Sequence, residues 1–501
     1  MFSKLKIKSR ASELPAADPP INEGQPPTKR QIYQSRHNFG VNIGSCFVNE
    51  KWIFDEIFID DTEFELEAAK KSVKKLGKDG AREKFENHWQ GFMSDDDWSW
   101  LKDHQVTAVR VPLGYWQIDG GKFADDTKFE KYTKVYANAW NIFKSHFVEK
   151  AAEHDIGVLV DIHGLPGGAN GADHSGEKNG GSADFWEDFS AQVQMTEAFK
   201  FIAQDLADYE NIIGIQIVNE SEWSDDAKRQ KQYYSASIKE IREVDRQIPI
   251  IISDGWNPHQ WVHWVQEKQN SIGYLGVVVD HHVYRCFSDD DKNKAPEQII
   301  GDLQGDILTN LNDNGRGVDF MVGEYSCVLD GQSWDKNGAN DRRDQLVIDY
   351  GNHQLRHISE RAGYGSFFWT YKFKSGNGGE WDFKTMTDKG AIRPPYNSQG
   401  DEPDQGKFEE VSRDAYHSHC NYWNSTDPNE HFEHERYWDG FTNAWADSME
   451  FHKFNGSIIG RNQAFKLARL EEHKKTKGEL KHLWEFEQGY DAGLKEFRNA
   501  L

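Results

Sequence analysis

The stretch IIGIQIVNE, residues 212–220, is mainly Ile and Val, interrupted by Gly214 and Gln216, and ends abruptly in two polar residues, Asn219 and Glu220. β-Branched side chains at successive positions, with almost no polar alternation, fit a strand covered on both faces, as in a buried parallel sheet. Similar runs flank it. Upstream are NFGVNIG (38–44), VTAVRVPLG (106–114) and IGVLVDIHG (156–164); downstream are IPIIISDGW (248–256), LGVVVDHHVY (275–284), VDFMVGEYS (318–326) and GYGSFFWTYK (363–372). Segments with helical spacing separate them, among them Asp95–His104, Tyr136–His154 and Phe185–Tyr209. Eight strands with helical crossovers imply an α/β fold, a (β/α)8 TIM barrel. A doubly wound open sheet uses the same alternation but gives no reason for what the strand ends share.

Those ends are polar. Arg110 lies near the end of the second run, His163 ends the third, and Asn219 and Glu220 end the fourth. His282 and Tyr284 end the sixth, Glu324 the seventh and Trp369 the eighth. In a barrel the C-terminal strand ends converge on one face, where active sites of this architecture lie. A single strand-end Arg or His is ordinarily a structural hydrogen-bonder; agreement among so many ends points to a site.

Composition narrows the substrate. The 501 residues carry 18 Trp, 18 Tyr and 30 Phe, enough for a large core and for stacking on flat ligand faces. With 83 acidic against 59 basic residues the net charge is −24, which repels phosphate backbones and anionic lipid heads. Nucleic acid is therefore excluded as a partner, no membrane span is expected, and neutral substrates fit. The basic start (Lys4, Lys6, Lys8, Arg10) resembles a weak presequence, but no secretory signal core follows. With only Cys46, Cys286, Cys327 and Cys420, free thiols are expected rather than a disulfide framework. An intracellular, non-secreted chain is expected, cytoplasmic ahead of organellar, so the sequons at Asn424 and Asn455 carry no weight.

Three segments are expected. Residues 1–35, including the Pro-rich ELPAADPPINEGQPPTKRQIYQS (13–35), read as disordered. Residues 36–395 form the barrel, closed by a helix over 381–392 and stopped by Pro394 and Pro395. Residues 396–501 form an extension: a polar loop to 430, then amphipathic helices YWDGFTNAWADSMEF (437–451) and LWEFEQGYDAGLKEF (483–497). Their Trp/Phe faces suit packing on the barrel or a homo-oligomer contact better than a carbohydrate platform.

Hydrolysing a glycoside with retention needs two carboxyl groups roughly 5 Å apart, one protonated and one ionised. Glu220, on an apolar strand, has a setting that raises a carboxyl pKa by desolvation, and Arg110 is the cation placed to keep Glu324 ionised. Asn219 can donate to the sugar 2-hydroxyl. Two strand-end glutamates alone also fit metal sites and enolase-type chemistry. His281–His282 lacks the HExxH spacing, however, and no metal or cofactor is implied.

The set VRVPLGYW, DIHGLPGGANG, GIQIVNES, DHHVYRCF, VGEYS and FFWTYK resembles glycoside hydrolase family 5, in its fungal exo-β-1,3-glucanase branch, over residues 36–395. The resemblance implies Glu220 as acid/base and Glu324 as nucleophile. It implies Arg110, His163, Asn219, His282 and Tyr284 as hydrogen-bonders around them, and Trp369 as the floor beneath the −1 sugar. Glu50, in NEKWI, and Asp173, in NGADHSG, match acids that grip the terminal glucose, which implies a closed −1 pocket and exo attack. One departure concerns the aglycone side: the branch clamps the +1 sugar between two Phe side chains, whereas here Phe287 is present and Ala172 takes the other place. That side should be wider. The expected function is an exo-acting β-glucosidase releasing terminal glucose from a neutral oligosaccharide. The alternatives are a glucosidase for a glucolipid, sterol glucoside or β-1,6-glucan, or a non-hydrolytic carbohydrate-binding protein.

Overall fold

The computed structural model describes residues 2–309, 317–374, 376, 378–396, 401–478 and 481–501. Eight parallel strands pair in chain order and the eighth closes on the first. They are β1 (Asn38–Asn42), β2 (Ala108–Gly114), β3 (Gly157–Gly164), β4 (Ile212–Gln216), β5 (Ile250–Ser253), β6 (Val277–Arg285), β7 (Asp319–Leu329) and β8 (Gly365–Phe368). Each falls on one of the apolar runs. Burial on both faces is nearly complete, since every residue of β1 to β5 and β8 is buried. Helices fill the crossovers, including Glu65–Phe92, Asp95–Asp103, Phe189–Asp205, Lys228–Arg242 and Arg343–Arg361.

Register prepares the site. Asn42 pairs with Arg110, and Asp161 with Gln216, so polar side chains meet inside the mouth of the barrel. A register shift between β6 and β7 sets His282 opposite Glu324. Gly323 is required at that irregularity: a Cβ there would lie 2.5 Å from both carboxylate oxygens of Asp280. With no side chain in the way, the Gly323 N–H donates to Asp280 Oδ1 at 2.6 Å.

The chain divides into two compact units: Met1–Asp18 with Asn38–Pro394, and Pro19–His37 with Pro395–Leu501. The leading segment, expected to be disordered, instead contains two helices, Phe2–Ser12 and Lys29–Ser35. In the first, the basic residues that resembled a presequence form ion pairs: Lys6 with Glu197 at 2.6 Å, and Arg10 with Glu240 at 2.9 Å. The second is nucleated by a capping box, Thr28 accepting from the Gln31 N–H while Gln31 Oε1 accepts from the Thr28 N–H.

In the second unit, the polar loop expected up to 430 contains the helix Gln405–Thr426, capped by Asp404. Its apolar residues Phe408, Val411 and Ala415 recur every three or four positions and, with Tyr416, pack against Tyr437, Phe441, Trp445 and Phe497. Helices Glu435–His452 and Leu483–Ala500 approach closely at their glycines. A Cβ on Gly440 would lie 2.1 Å from the Phe486 carbonyl oxygen, and one on Gly489 2.0 Å from that of Tyr437. Among the described residues no helix is long and apolar enough to cross a membrane.

Candidate active site

Arg110 anchors the mouth of the barrel. It is fully buried, and its planar guanidinium serves five acceptors. Nε donates to Gln216 Oε1 (2.8 Å), Nη1 to Asn42 Oδ1 (2.8 Å) and to Glu324 Oε1 (3.0 Å). Nη2 donates to Asn219 Oδ1 at 2.6 Å and pairs with Asp161 Oδ2 at 3.0 Å. A residue on β2 thereby fixes side chains from β1, β3, the end of β4, and β7.

Glu324 is held at both oxygens, because the Tyr284 hydroxyl donates to Oε2 at 2.7 Å. Burial and then the charge of Glu324 push the Tyr284 phenol well above its usual range, so it remains a donor.

Glu220 has different company. His282 Nδ1 lies 2.7 Å from its Oε1, His174 Nε2 lies 3.3 Å from its Oε2, and Asn170 Nδ2 donates to Oε2 at 3.4 Å. The second nitrogen of His282, Nε2, faces Asp280 Oδ2 at 3.0 Å. A carboxylate at each ring nitrogen stabilises the imidazolium form of His282. Burial opposes that charge, but Glu324 and Asp280 outweigh it and hold its pKa well above the usual value. For Glu220, burial raises the pKa, yet the hydrogen bonds from His174 and His282 outweigh it and hold the carboxyl well below its usual range. This corrects the expectation that the apolar strand end would raise it: two imidazoles overcome the desolvation.

A carboxylate oxygen of Glu220, a ring nitrogen of His282 and a carboxylate oxygen of Glu324 all lie within 4.8 Å of one another. Both acids open into a cavity of about 440 Å³, with His163, Asn219 and Trp369 on its walls. His163 Nδ1 faces Asp161 Oδ2 at 2.7 Å; burial lowers its pKa, with Asp161 opposing, so the ring is neutral with its proton on Nδ1. Its ring runs nearly parallel to that of Trp369, at 12° and 5.7 Å between centroids. The Trp369–Thr370 peptide is cis.

Residues 73–375 match the family model described as "Cellulase (glycosyl hydrolase family 5)". The chain belongs to glycoside hydrolase family 5. Residues 404–501 match a second model, "Glucan 1,3-beta-glucosidase 3 C-terminal domain". An uncharacterized glycosyl hydrolase of Saccharomyces cerevisiae is 38% identical, covering 99% of this chain and 98% of its own. "Glucan 1,3-beta-glucosidase 3" of Schizosaccharomyces pombe is 34% identical, covering 93% and 96%. Among solved structures, rutinosidase from Aspergillus niger superposes with a TM-score of 0.55 at 18% identity, covering 72% of this chain and 98% of its own, a likeness of fold.

In this hydrolase the structure gathers Glu50, His163, Asn219, Glu220, Tyr284, Phe287, Glu324 and Trp369 around one cavity, with Arg110 and His282 bonded to its two carboxylates. Glu50 accepts from Trp52 Nε1 at 2.8 Å, and both line the cavity. Asp173 begins a short turn, Asp173–Ser175, in the same loop as Ala172; its side chain lies outside the described residues. A slightly larger cleft of about 480 Å³, lined by Lys6, Asp125, Lys128 and Glu177 among others, contains none of the strand-end residues.

Several contributors were missed from sequence. Asp161 and Asp280 each precede a named histidine by two positions, the spacing that puts side chains on one face of a strand, so that signal was present. His174, Trp52, Trp256 and Trp381 lie on loops or turns, where no periodicity marks them.

Proposed function

We propose that this hydrolase is a retaining, exo-acting β-glucosidase of the glucan 1,3-β-glucosidase type, with Glu324 as nucleophile and Glu220 as acid/base. The observation that carries this reading is the approach of the two carboxylates to within 4.8 Å, each with different neighbours. Retaining enzymes need their carboxyl groups about 5–5.5 Å apart, whereas inverting enzymes leave room for a water at about 6.5–9.5 Å. The relatives described as glucan 1,3-β-glucosidases support the choice of substrate.

In the first step Glu324, oriented by Arg110 and Tyr284, attacks the anomeric carbon while Glu220 protonates the departing oxygen. Charge developing on the ring is met by the Glu324 carboxylate. Asn219 Oδ1 is occupied by Arg110, which leaves its amide N–H groups to donate to the sugar 2-hydroxyl. Trp369 supplies the stacking floor, and Glu50 takes hydroxyls of the terminal glucose. In the second step Glu220 deprotonates a water that releases glucose from Glu324. The test is trapping with a 2-deoxy-2-fluoro-β-glucoside: the adduct should form on the peptide containing Glu324, and proton NMR should show β-glucose as the first product. An α-anomer first, or an adduct elsewhere, refutes the assignment.

A second reading concerns the aglycone. Trp52, Trp256, Phe287 and Trp381 line the outer part of the cavity, and Phe287 and Trp256 are 64% and 48% exposed. Together with Ala172, this aromatic mouth favours an apolar aglycone, such as a glucolipid or sterol glucoside, as an alternative to a glucan chain. Comparing laminari-oligosaccharides with alkyl and sterol glucosides separates the two. An intracellular site of action is proposed as well, supported by four free cysteines that suit a reducing compartment, and cell fractionation tests it.

A further inference from the structure

We propose that His174 is a positioning residue for the catalytic proton: it holds that proton in the free enzyme and passes it to Glu220 when substrate occupies the cavity. This rests on the assignment of Glu220 as acid/base. The difficulty it resolves is physical. An acid must be protonated before it can donate, yet Glu220 hydrogen-bonds to an imidazolium, which favours its ionised form.

Three histidines surround the cleavage site, and their partners differ. His282 has a carboxylate at each nitrogen, Glu220 and Asp280, and Glu324 Oε2 lies 3.6 Å from its Nδ1, so two carboxylates besides the acid hold its charge in place. His163 directs Nδ1 to Asp161 and Nε2 toward the Asn219 amide at 3.4 Å, and is neutral. His174 alone has a nitrogen at the acid and no competing bond. Its Nε2 faces Glu220 Oε2 at 3.3 Å, while its Nδ1 is buried without a hydrogen-bond partner among the described residues. The ring packs edge-on against His163 at 5.2 Å between centroids, and a proton can move between its Nε2 and Glu220 without breaking a hydrogen bond at Nδ1.

The charged and titratable groups facing His174 are Glu220 after β4, Glu324 on β7, Glu50 after β1 and His163 on β3. Burial lowers the His174 pKa, but Glu220, then Glu50 and Glu324, outweigh it and raise it to about 9. The pair therefore keeps its shared proton through neutral pH, although Glu220 alone would not.

The proton balance closes. The Nε2–H bond of His174 breaks as the Glu220 Oε2–H bond forms; that hydrogen then moves to the glycosidic oxygen as the C1–O bond breaks and Glu324 bonds to C1. In the second half-reaction Glu220 takes a proton from the attacking water, the C1–Glu324 bond breaks, and the proton returns to His174.

The test uses the full chain with His174→Asn and His174→Gln, and two substrates. An alkyl β-glucoside needs its leaving group protonated; 2,4-dinitrophenyl β-glucoside does not. For the alkyl glucoside, kcat/KM at pH 8 should fall about 100-fold. The basic limb of its pH profile should move down by about two pH units once the proton must reside on Glu220 alone. The dinitrophenyl glucoside should be cleaved to the glycosyl-enzyme within about twofold of the normal rate, because its first step needs no acid. Equal losses on both substrates in both variants, or an unmoved basic limb, overturn the proposal. Glu220→Gln is run in parallel: if it too leaves alkyl glucoside hydrolysis intact, the acid/base assignment fails; if it abolishes hydrolysis while the His174 variants retain the normal profile, only the role of His174 fails.

Discussion

Replacing Arg110 by lysine tests whether geometry, rather than charge, organises the site. Arg110 makes five contacts of 3.0 Å or less, to Gln216, Asn42, Glu324, Asn219 and Asp161, on different sides of one planar group. An ammonium keeps the positive charge but has only three donors clustered at a single point. At least two of the five acceptors lose their donor, at a cost of about 1–3 kcal/mol each in a buried site, or about 2–6 kcal/mol together. Part of this weakens the fold and part weakens the transition state, because Glu324 and Asn219 are both among the acceptors. If half falls on each, kcat/KM for an aryl β-glucoside drops about 5–150-fold, and the urea midpoint falls by about 0.3–1 M for a chain of this size. Steady-state kinetics and equilibrium urea unfolding of the same preparation measure both. An Arg110→Lys protein within about threefold of the normal kcat/KM, with an unchanged urea midpoint, would refute the reasoning: charge alone would then suffice and the five-way fork would be incidental.

Tyr284→Phe removes only the hydrogen bond to Glu324 Oε2. A bond to a charged group is worth about 1.5–3 kcal/mol, so kcat/KM should fall about 10–150-fold while the melting temperature barely changes. Trp256→Ala and Phe287→Ala should raise KM about 3–10-fold for glucosides with large aglycones and leave methyl β-glucoside unaffected, as measured across a substrate panel. Glu65 gives a stability prediction. Burial raises its pKa to about 7, against hydrogen bonds from Asn49, Tyr136 and Trp116. The folded chain thus binds a proton that the unfolded chain, with a pKa of about 4.3, releases earlier; stability must fall as pH rises from about 4.5 to 7, by about 3 kcal/mol. Urea unfolding of Glu65→Gln across that window should lack this component, and an identical slope in both proteins would contradict it.

The legible part of the sequence is the part with a period. Each strand lies on a mainly apolar run, four of them nearly unbroken, and its polar terminus is marked where that run ends. Arg110, Glu220, His282, Tyr284 and Glu324 could therefore be placed on one face before their distances were known. The electrostatics were not legible in the same way. Glu220 reads as a desolvated acid from its neighbours in the chain, but its protonation is set by His282 on β6 and His174 after β3, which only the closed barrel brings within 2.7 and 3.3 Å. The helices that were missed fail for a different reason. Gln405–Thr426 has an apolar stripe of small and aromatic residues diluted by charge, and Phe2–Ser12 buries a single residue, Ile7. Both depend on ion pairs and packing with segments distant in sequence, whose presence no local pattern reports.

The loop after β3 brings the two unusual features of this enzyme together. Ala172, which stands where the resemblance places a +1 clamp, and His174, 3.3 Å from Glu220, are two residues apart in NGADHSG. The chain that supports them is constrained at its glycines: a Cβ on Gly171 would lie 2.5 Å from the Gly181 carbonyl oxygen, and one on Gly176 2.3 Å from the Trp116 ring. Trp116 is itself fixed by its Nε1 donating to Glu65 at 3.1 Å. A loop wedged in this way cannot shift to suit a bulkier aglycone at residue 172 without moving the imidazole at 174. Introducing Phe at Ala172 should therefore change the pH profile as well as the aglycone preference, and the two effects should diminish together when His174 is also replaced. Independent, additive effects of the two substitutions would show that the loop transmits no strain between them.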